Sequence, residues 1–305
     1  MKTRFFSRIT LFLLTNLAVV FTIGVITRVL GLDVALARRG LDYGALLAFS
    51  AVVGFSGSII SLLLSKVMAK WSTGAEVITN PRTQDELWLL QTVERLAQKA
   101  GIQKPEVAIY DSPEVNAFAT GPTRNSALVA VSSGLLRNMS QTEVEAVLAH
   151  EVAHAANGDM ITMTLLQGVL NTFVVFLSRV GGYAVDAMTS RRDDEERSSG
   201  GIGSFVVTIV LQLLLGVVAS MIVSAYSRRR EYRADHGAAE LVGPAAMIAA
   251  LARLKRQEDG PTVLPDSMRA FGIRSARTKG FLDLFRSHPH LDDRIEALRG
   301  FRAEA

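Results

Sequence analysis

His150-Glu151-Val152-Ala153-His154 is the stretch on which the reading of this chain turns. Two histidines four residues apart share one face of an α-helix, about 40° apart around the axis and roughly 6 Å apart along it. Two imidazole nitrogens so arranged can meet one Zn²⁺ at about 2.0–2.1 Å each. Glu151 adjoins the first of them, placed to take a proton from a water that the ion activates rather than to bind the ion. Helix signals surround the pattern. Ser140 and Glu143 form a Ser-x-x-Glu capping box, alanines fill the middle, and Asn157-Gly158 marks the end. The competing reading is a polar helix face that carries two histidines by coincidence, and the scarcity of histidine, 5 in 305 residues, counts against it.

Outward from this helix the chain is apolar to a degree that is high for a soluble enzyme, with 49% hydrophobic residues. The excess sits in runs without a formal charge: Ile9 to Ile26, Ala45 to Leu64, Met160 to Leu177 and Phe205 to Val223. A helix of eighteen residues spans about 27 Å, nearly the hydrocarbon thickness of a bilayer, so each run reads as a transmembrane helix. For the first, a cleaved signal peptide is the alternative, because Ala35-Leu36-Ala37 resembles a small-x-small cleavage site. Its length and the intervening Arg28 oppose that. In the second, Gly54, Ser56, Gly57 and Ser58 are residues that let membrane helices pack closely. The last two, interrupted by Gln167, Asn171 and Gln212, also allow a buried helical hairpin; the absence of charge favours insertion. The net charge of +4 is modest and gathered near the runs, so it speaks of membrane topology and not of nucleic acid. With no cysteine, disulfides, Cys-ligated zinc and thiol catalysis are excluded.

From about Lys70 to Gly158 the composition is that of a soluble α+β unit. Thr83 or Asp85 caps a helix whose Leu87, Leu90, Val93, Leu96 and Ala97 keep helical spacing, with Gly101 as its stop. Short β-like runs follow at Glu106 to Tyr110, Val115 to Ala119 and Ala127 to Val131. The last two pair as a hairpin about Gly121-Pro122-Thr123-Arg124-Asn125. Residues 191–201, rich in Arg, Asp, Glu, Ser and Gly, read as a solvated loop without chemistry. An even number of spans puts the histidine helix and the tail after Ser227 on one side. Lys2, Arg4, Arg8 and Arg228-Arg229-Arg230 point to the cytoplasm, against which stand Arg38, Arg39, Arg191 and Arg192.

The fourth run continues as helix into Arg230-Glu231-Tyr232-Arg233-Ala234-Asp235, where Glu231 and Asp235 share a face. A catalytic zinc held by two histidines needs a third protein ligand and one open position. A carboxylate at the mouth of this helix, on the side to which the histidine helix returns, is placed to supply it. The plainer reading is that both acids balance the neighbouring arginines.

With these elements the chain resembles the HtpX-type membrane zinc metalloproteases, relatives of the prenyl-protein (CAAX) endopeptidases, over nearly its whole length. The resemblance is carried by Asn116-Ala117-Phe118-Ala119-Thr120-Gly121, by the zinc motif extended through Ala155-Ala156-Asn157-Gly158-Asp159, by Glu231-Tyr232-Arg233-Ala234-Asp235, and by Ser287-His288-Pro289 with Arg294. It implies that Glu231 is the third ligand of one Zn²⁺ and that Asp235 orients a zinc histidine. It also implies peptide-bond hydrolysis in membrane-protein quality control and the stress response, in a bacterial inner membrane. His288, backed by Pro289, is the candidate donor to the tetrahedral oxyanion, with a structural histidine as the alternative. Residues Asn116, Ala117, Phe118 and Ala119 are expected to form the edge strand that binds substrate beside the active helix. Tyr232 replaces the usual Phe and His290 the usual second Pro; His236 and His290 carry no assigned role.

The expected architecture is an α-helical membrane protein of four transmembrane helices with an α+β zinc-metallopeptidase domain, mainly helical with a small β-sheet. Residues 1–69 hold two spans, 70–158 and 227–305 the two parts of the protease domain, and 159–226 a transmembrane hairpin. Unfolded or damaged membrane proteins are the expected substrates, the lipid bilayer the surroundings, and nucleic acid no partner. A prenyl-peptide endopeptidase and a catalytically silent zinc-binding scaffold are the rival readings. The number of apolar runs argues against the first and Glu151 against the second.

Overall fold

The structure, a computed structural model, describes residues 43–189, 202–258 and 280–301. In chain order its elements are α1 (Tyr43–Thr73), β1 (Glu76–Val77), α2 (Gln84–Lys99), β2 (Glu106–Tyr110), β3 (Ala117–Thr123), β4 (Ser126–Ser132), α3 (Ser133–Asn138), α4 (Gln141–Asn157), α5 (Asp159–Thr189), α6 (Ile202–Val242), α7 (Pro244–Glu258), a 3-10 turn (Gly280–Phe285) and α8 (Leu291–Arg299). They fall into two units, Met1–Ile60 with Thr164–Val223, and Ser61–Met163 with Ser224–Ala305. The apolar run from Ile9 to Ile26 and the polar stretch 191–201 lie outside the described residues.

Three described stretches, Ala45–Thr73, Asp159–Val185 and Gly203–Val242, are long and apolar enough to cross a membrane. Their outward side chains, among them Val52, Ile60, Phe173, Phe205 and Leu214, are exposed, as lipid-facing residues are. Within the first unit Gly54 lets α1 close on α5. A Cβ there would stand 2.5 Å from Thr172 N and 2.7 Å from Gly168 O, the close approach that small residues permit between membrane helices. Ser58 bonds back to the Gly54 carbonyl, so its hydroxyl is satisfied within its own helix. The helices outlast the apolar runs that announce them: α6 is 41 residues long and ends at Val242, where the run stops at Val223. Arg, Glu and Ala are good helix formers, so a change of polarity ends the run without ending the helix. At 1.5 Å per residue α6 measures about 60 Å, twice the hydrocarbon thickness.

The second unit is built on a four-stranded sheet of order β1-β2-β4-β3. β2 and β4 are parallel, while β1 and β3 run antiparallel to their neighbours. Alternation along the strands sorts side chains to two faces. On one face Val107, Val129 and Val131 pack with Leu89, Val93 and Leu96 of α2, Val147, Leu148 and Val152 of α4, and Met247, Leu251 and Leu254 of α7. On the other, Ala108, Tyr110, Phe118, Leu128 and Ala130 meet Ala69 near the end of α1. Lys66 and Lys70 from the same turns reach Glu106 at the start of β2.

The hairpin forms as expected, but β3 begins two residues later than Val115 and runs through Pro122 to Thr123. Its ladder with β4 shifts register between Thr120 and Thr123. Gly121 makes it possible: its φ is +151°, and a Cβ would fall 2.2 Å from the Ser126 carbonyl. Pro122 is tolerated because β3 is an edge strand, where a missing N–H breaks no ladder. Thr83 caps α2, accepting from Glu86 N–H. The capping box of α4 is complete, with Ser140 and Glu143 each bonding the other's backbone N–H, and Gly158 closes that helix at φ 69°.

Candidate metal centre

Four elements of the second unit converge on α4. This helix presents His150, Glu151 and His154, all buried. The extension of α6 brings Glu231 and Asp235, α5 begins with Asp159, the segment before α8 carries His288, and α8 carries Arg294. The Nε2 atoms of His150 and His154 stand 3.1 Å apart. Glu231 Oε1 lies 3.3 Å from His154 Nε2, and its Oε2 lies 3.5 Å from His150 Nε2. Among the described residues these three are the group able to hold a metal ion.

The donor set fits such an ion. Donors at about 2.0–2.1 Å in a tetrahedron stand roughly 3.4 Å from one another, close to the three separations found. Both Glu231 oxygens are buried and accept no hydrogen bond within the protein. The nearest cations, the guanidiniums of Arg294 and Arg230 at 3.4 and 3.7 Å, approach without hydrogen-bonding it, so a bound ion would complete the compensation that a buried carboxylate needs. His288 Nδ1 comes to 2.8 Å from Glu231 Oε2, but without the alignment of a hydrogen bond. A ring so placed leaves its Nε2 as the atom not committed to Glu231.

Each histidine is held from behind. His150 Nδ1 lies 3.0 Å from Asp235 Oδ1, and His154 Nδ1 lies 2.5 Å from Asp159 Oδ2. An Nδ1–H donated to a carboxylate fixes the tautomer in which the Nε2 lone pair faces the ion. Arg294 completes the arrangement, donating from Nε to Asp235 Oδ2 at 2.7 Å and from Nη2 to Oδ1 at 2.6 Å.

Burial pushes the His154 imidazole toward lower pKa, but the nearby charge of Glu231 and the bond to Asp159 outweigh it and push the value up to about 9. A protonated ring cannot bind metal, so below pH 9 each ion must displace that proton. Metal affinity is therefore expected to fall steadily as pH drops from 9 toward 6, with proton release on binding. Calorimetric metal titrations in buffers of different ionisation enthalpy measure it; a pH-independent affinity across that window would contradict the assignment.

Other residues singled out in the sequence fall as follows. Asn116 is buried, its N–H donating to Ser132 Oγ at 3.1 Å and its carbonyl accepting from Ser132 N–H at 2.9 Å. The Phe118 ring packs on Tyr110 with centroids 5.7 Å apart, so this side chain belongs to the core beneath the sheet. His236 pairs with Glu240 on the surface, Nδ1 to Oε1 at 3.3 Å. His290 stands at the N-cap of α8 with its ring near Arg286 and Asp283. Sequence reasoning assigned no role to Asp159 or Arg294. Both stand among the residues that carry the family resemblance; Asp159 also had a local signal, an acid directly after the glycine cap of α4, where Arg294 had none in its spacing.

Peptidase family M48 matches residues 83–302, which include every residue of this centre. The chain belongs to that family. Among its M48 relatives, the Protease HtpX homolog of Janthinobacterium sp. (strain Marseille) is 57% identical over 296 residues, covering 97% of this chain and 99% of its own. Protease HtpX of Hydrogenovibrio crunogenus is 56% identical over 292 residues, 96% of either chain. The crystal structure of S. mikatae Ste24p superimposes with a TM-score of 0.63 at 19% identity, over 98% of this chain and 67% of that one, a likeness of fold. These matches bear out the resemblance carried by the zinc motif and its companion stretches. This M48 member is a metalloprotease, and its long apolar helices make it an integral membrane protein.

Proposed function

We propose that the ion is Zn²⁺ and that the enzyme cuts exposed segments of misfolded or damaged membrane proteins as part of membrane quality control. The observation that carries this reading is the trio of donors from His150, His154 and Glu231, with both Glu231 oxygens buried and unbonded. In this reading residues 70–158 and 227–305 make up the protease domain. Residues 1–69 and 159–226 supply four spans, and the domain faces the cytoplasm of a bacterial inner membrane.

When bound, the ion polarises the scissile carbonyl and lowers the pKa of water toward about 7. Glu151, buried next to His150 on the same helix, takes the water proton on its carboxylate and passes it to the leaving amine. His288, partly open to solvent with its Nδ1 beside Glu231, turns its Nε2 toward the developing oxyanion. His150, His154 and Glu231 hold the ion, and Asp235 keeps His150 in orientation.

Substrate lies along β3. Ser132 N–H donates to the Asn116 carbonyl, so by antiparallel alternation the N–H and C=O of Ala117 and Ala119 point away from β4, to the free edge. An extended peptide adds there as a further strand. Ala117→Pro and Ala119→Pro each delete one outward donor without touching the β4 ladder. A lost hydrogen bond costs about 1 kcal/mol, so kcat/KM should drop several-fold for each while metal content stays. Wild-type rates in both folded variants would remove β3 as the cradle.

The test of the function is cleavage of an unfolded membrane protein by purified enzyme in detergent, abolished by chelation and restored by zinc, beside a prenylated peptide in parallel. Cleavage of the prenylated peptide alone would favour the prenyl-peptide endopeptidase, and cleavage of neither the silent scaffold.

A further inference from the structure

We infer that Arg294 is a positioning residue of the metal centre, setting the orientation of His150 by gripping Asp235 at two points; the inference rests on the metal centre proposed above. The side chain is fully buried, at 0% exposure. Arginine is among the residues least often buried, and its charge is retained inside only where partners compensate it.

Those partners lie in one small region. Nε and Nη2 run parallel to Oδ2 and Oδ1 of Asp235 at 2.7 and 2.6 Å, the fork-to-fork geometry that only a planar guanidinium offers. Both carboxylate oxygens are thereby fixed, and Oδ1 is the atom that His150 Nδ1 meets at 3.0 Å. A carboxylate held at one point can rotate about its last bond and carry the imidazole with it; one held at two cannot. Nη2 also stands 3.5 and 3.4 Å from the two ring nitrogens of His150, so the guanidinium packs against the ring it orients. Nη1 lies 3.4 Å from Glu231 Oε2. One planar group thus touches the first ligand, its orienting acid and the third ligand.

The two histidines are served differently. His154 takes its carboxylate from Asp159, five residues along the same stretch of chain and fixed by the turn at Gly158. His150 takes its own from Asp235 on α6, and Asp235 is braced by α8, so three separate elements must agree. A cross-brace is what such an assembly requires, since each element brings its own positional freedom. Simple charge compensation would need only a cation. Lysine supplies that without the fork, which makes R294K the discriminating change.

The experiment uses full-length protein in detergent with Co²⁺ as the probe, read by the affinity and the visible absorption of the bound ion. R294K should bind Co²⁺ about 10–100-fold more weakly, as loss of an orienting partner does, with a shifted cobalt band. D235A should lose a similar factor, and the D235A/R294K double variant should be no weaker than D235A alone, because Arg294 acts through Asp235. D235N, which leaves Arg294 in place but offers one acceptor oxygen, should shift the band as well and covers the case in which R294K does not fold. Wild-type affinity and spectrum in R294K, an unshifted band in D235N, or losses that multiply in the double variant would each overturn the role. A wild-type protein that takes up no Co²⁺ would instead overturn the centre itself.

Discussion

Glu151→Gln is expected to keep its metal and its fold while losing proteolysis by on the order of 10²–10⁴-fold, the range for removal of a general base. The amide has the shape of the acid and fits the same buried position on α4, between two histidines that bind through other atoms. What it lacks is the ability to accept a proton from water and return it to the leaving amine. Among the described residues no hydrogen bond or ion pair holds the Glu151 carboxylate, so no structural partner is lost. Metal content by elemental analysis and cleavage of an unfolded membrane protein are measured on the same preparation. Loss of both together would make Glu151 a ligand or a structural acid; retained cleavage would end its assignment as the base.

Glu231→Ala is expected to remove metal binding far more severely than loss of either orienting acid. It deletes a donor that lies 3.3 and 3.5 Å from the two Nε2 atoms, leaving two histidines where catalytic zinc takes three protein ligands. Asp235→Ala and Asp159→Ala remove groups that touch only the Nδ1 side of each ring, so each should cost about 10–100-fold in affinity. Titration against a competing chelator ranks the three. If Asp235→Ala proves the most damaging, the ligand and the orienting acid exchange places. Near-equal losses in Asp159→Ala and Asp235→Ala would show that both histidines depend on their braces alike.

Much of this protein is determined by local physics, and that part was legible in the chain. The helix of the candidate metal centre declares itself through its capping box, its glycine stop and the four-residue spacing of His150 and His154, all properties of a single helix. The same holds for the cap at Thr83, for the hairpin, and for α1, α5 and α6, whose uncharged runs exceed what a soluble core accommodates. The continuation of the fourth run as helix through Asp235 was legible too; the ends of α1 and α5 were not, because the polarity that stops an apolar run does not stop a helix.

Tertiary structure decided what joins distant segments. The parallel pairing of β2 with β4 places β3 at the edge, yet nothing in the strands themselves specifies that order. Glu231 rather than Asp235 turns its oxygens toward both Nε2 atoms because the two, though four residues apart on α6, face different parts of α4. Arg294 meets Asp235 across 59 residues and His150 across 144. Contacts of that separation leave no period or spacing in a sequence; they exist only once the packing of α8 against α7 has closed the intervening chain.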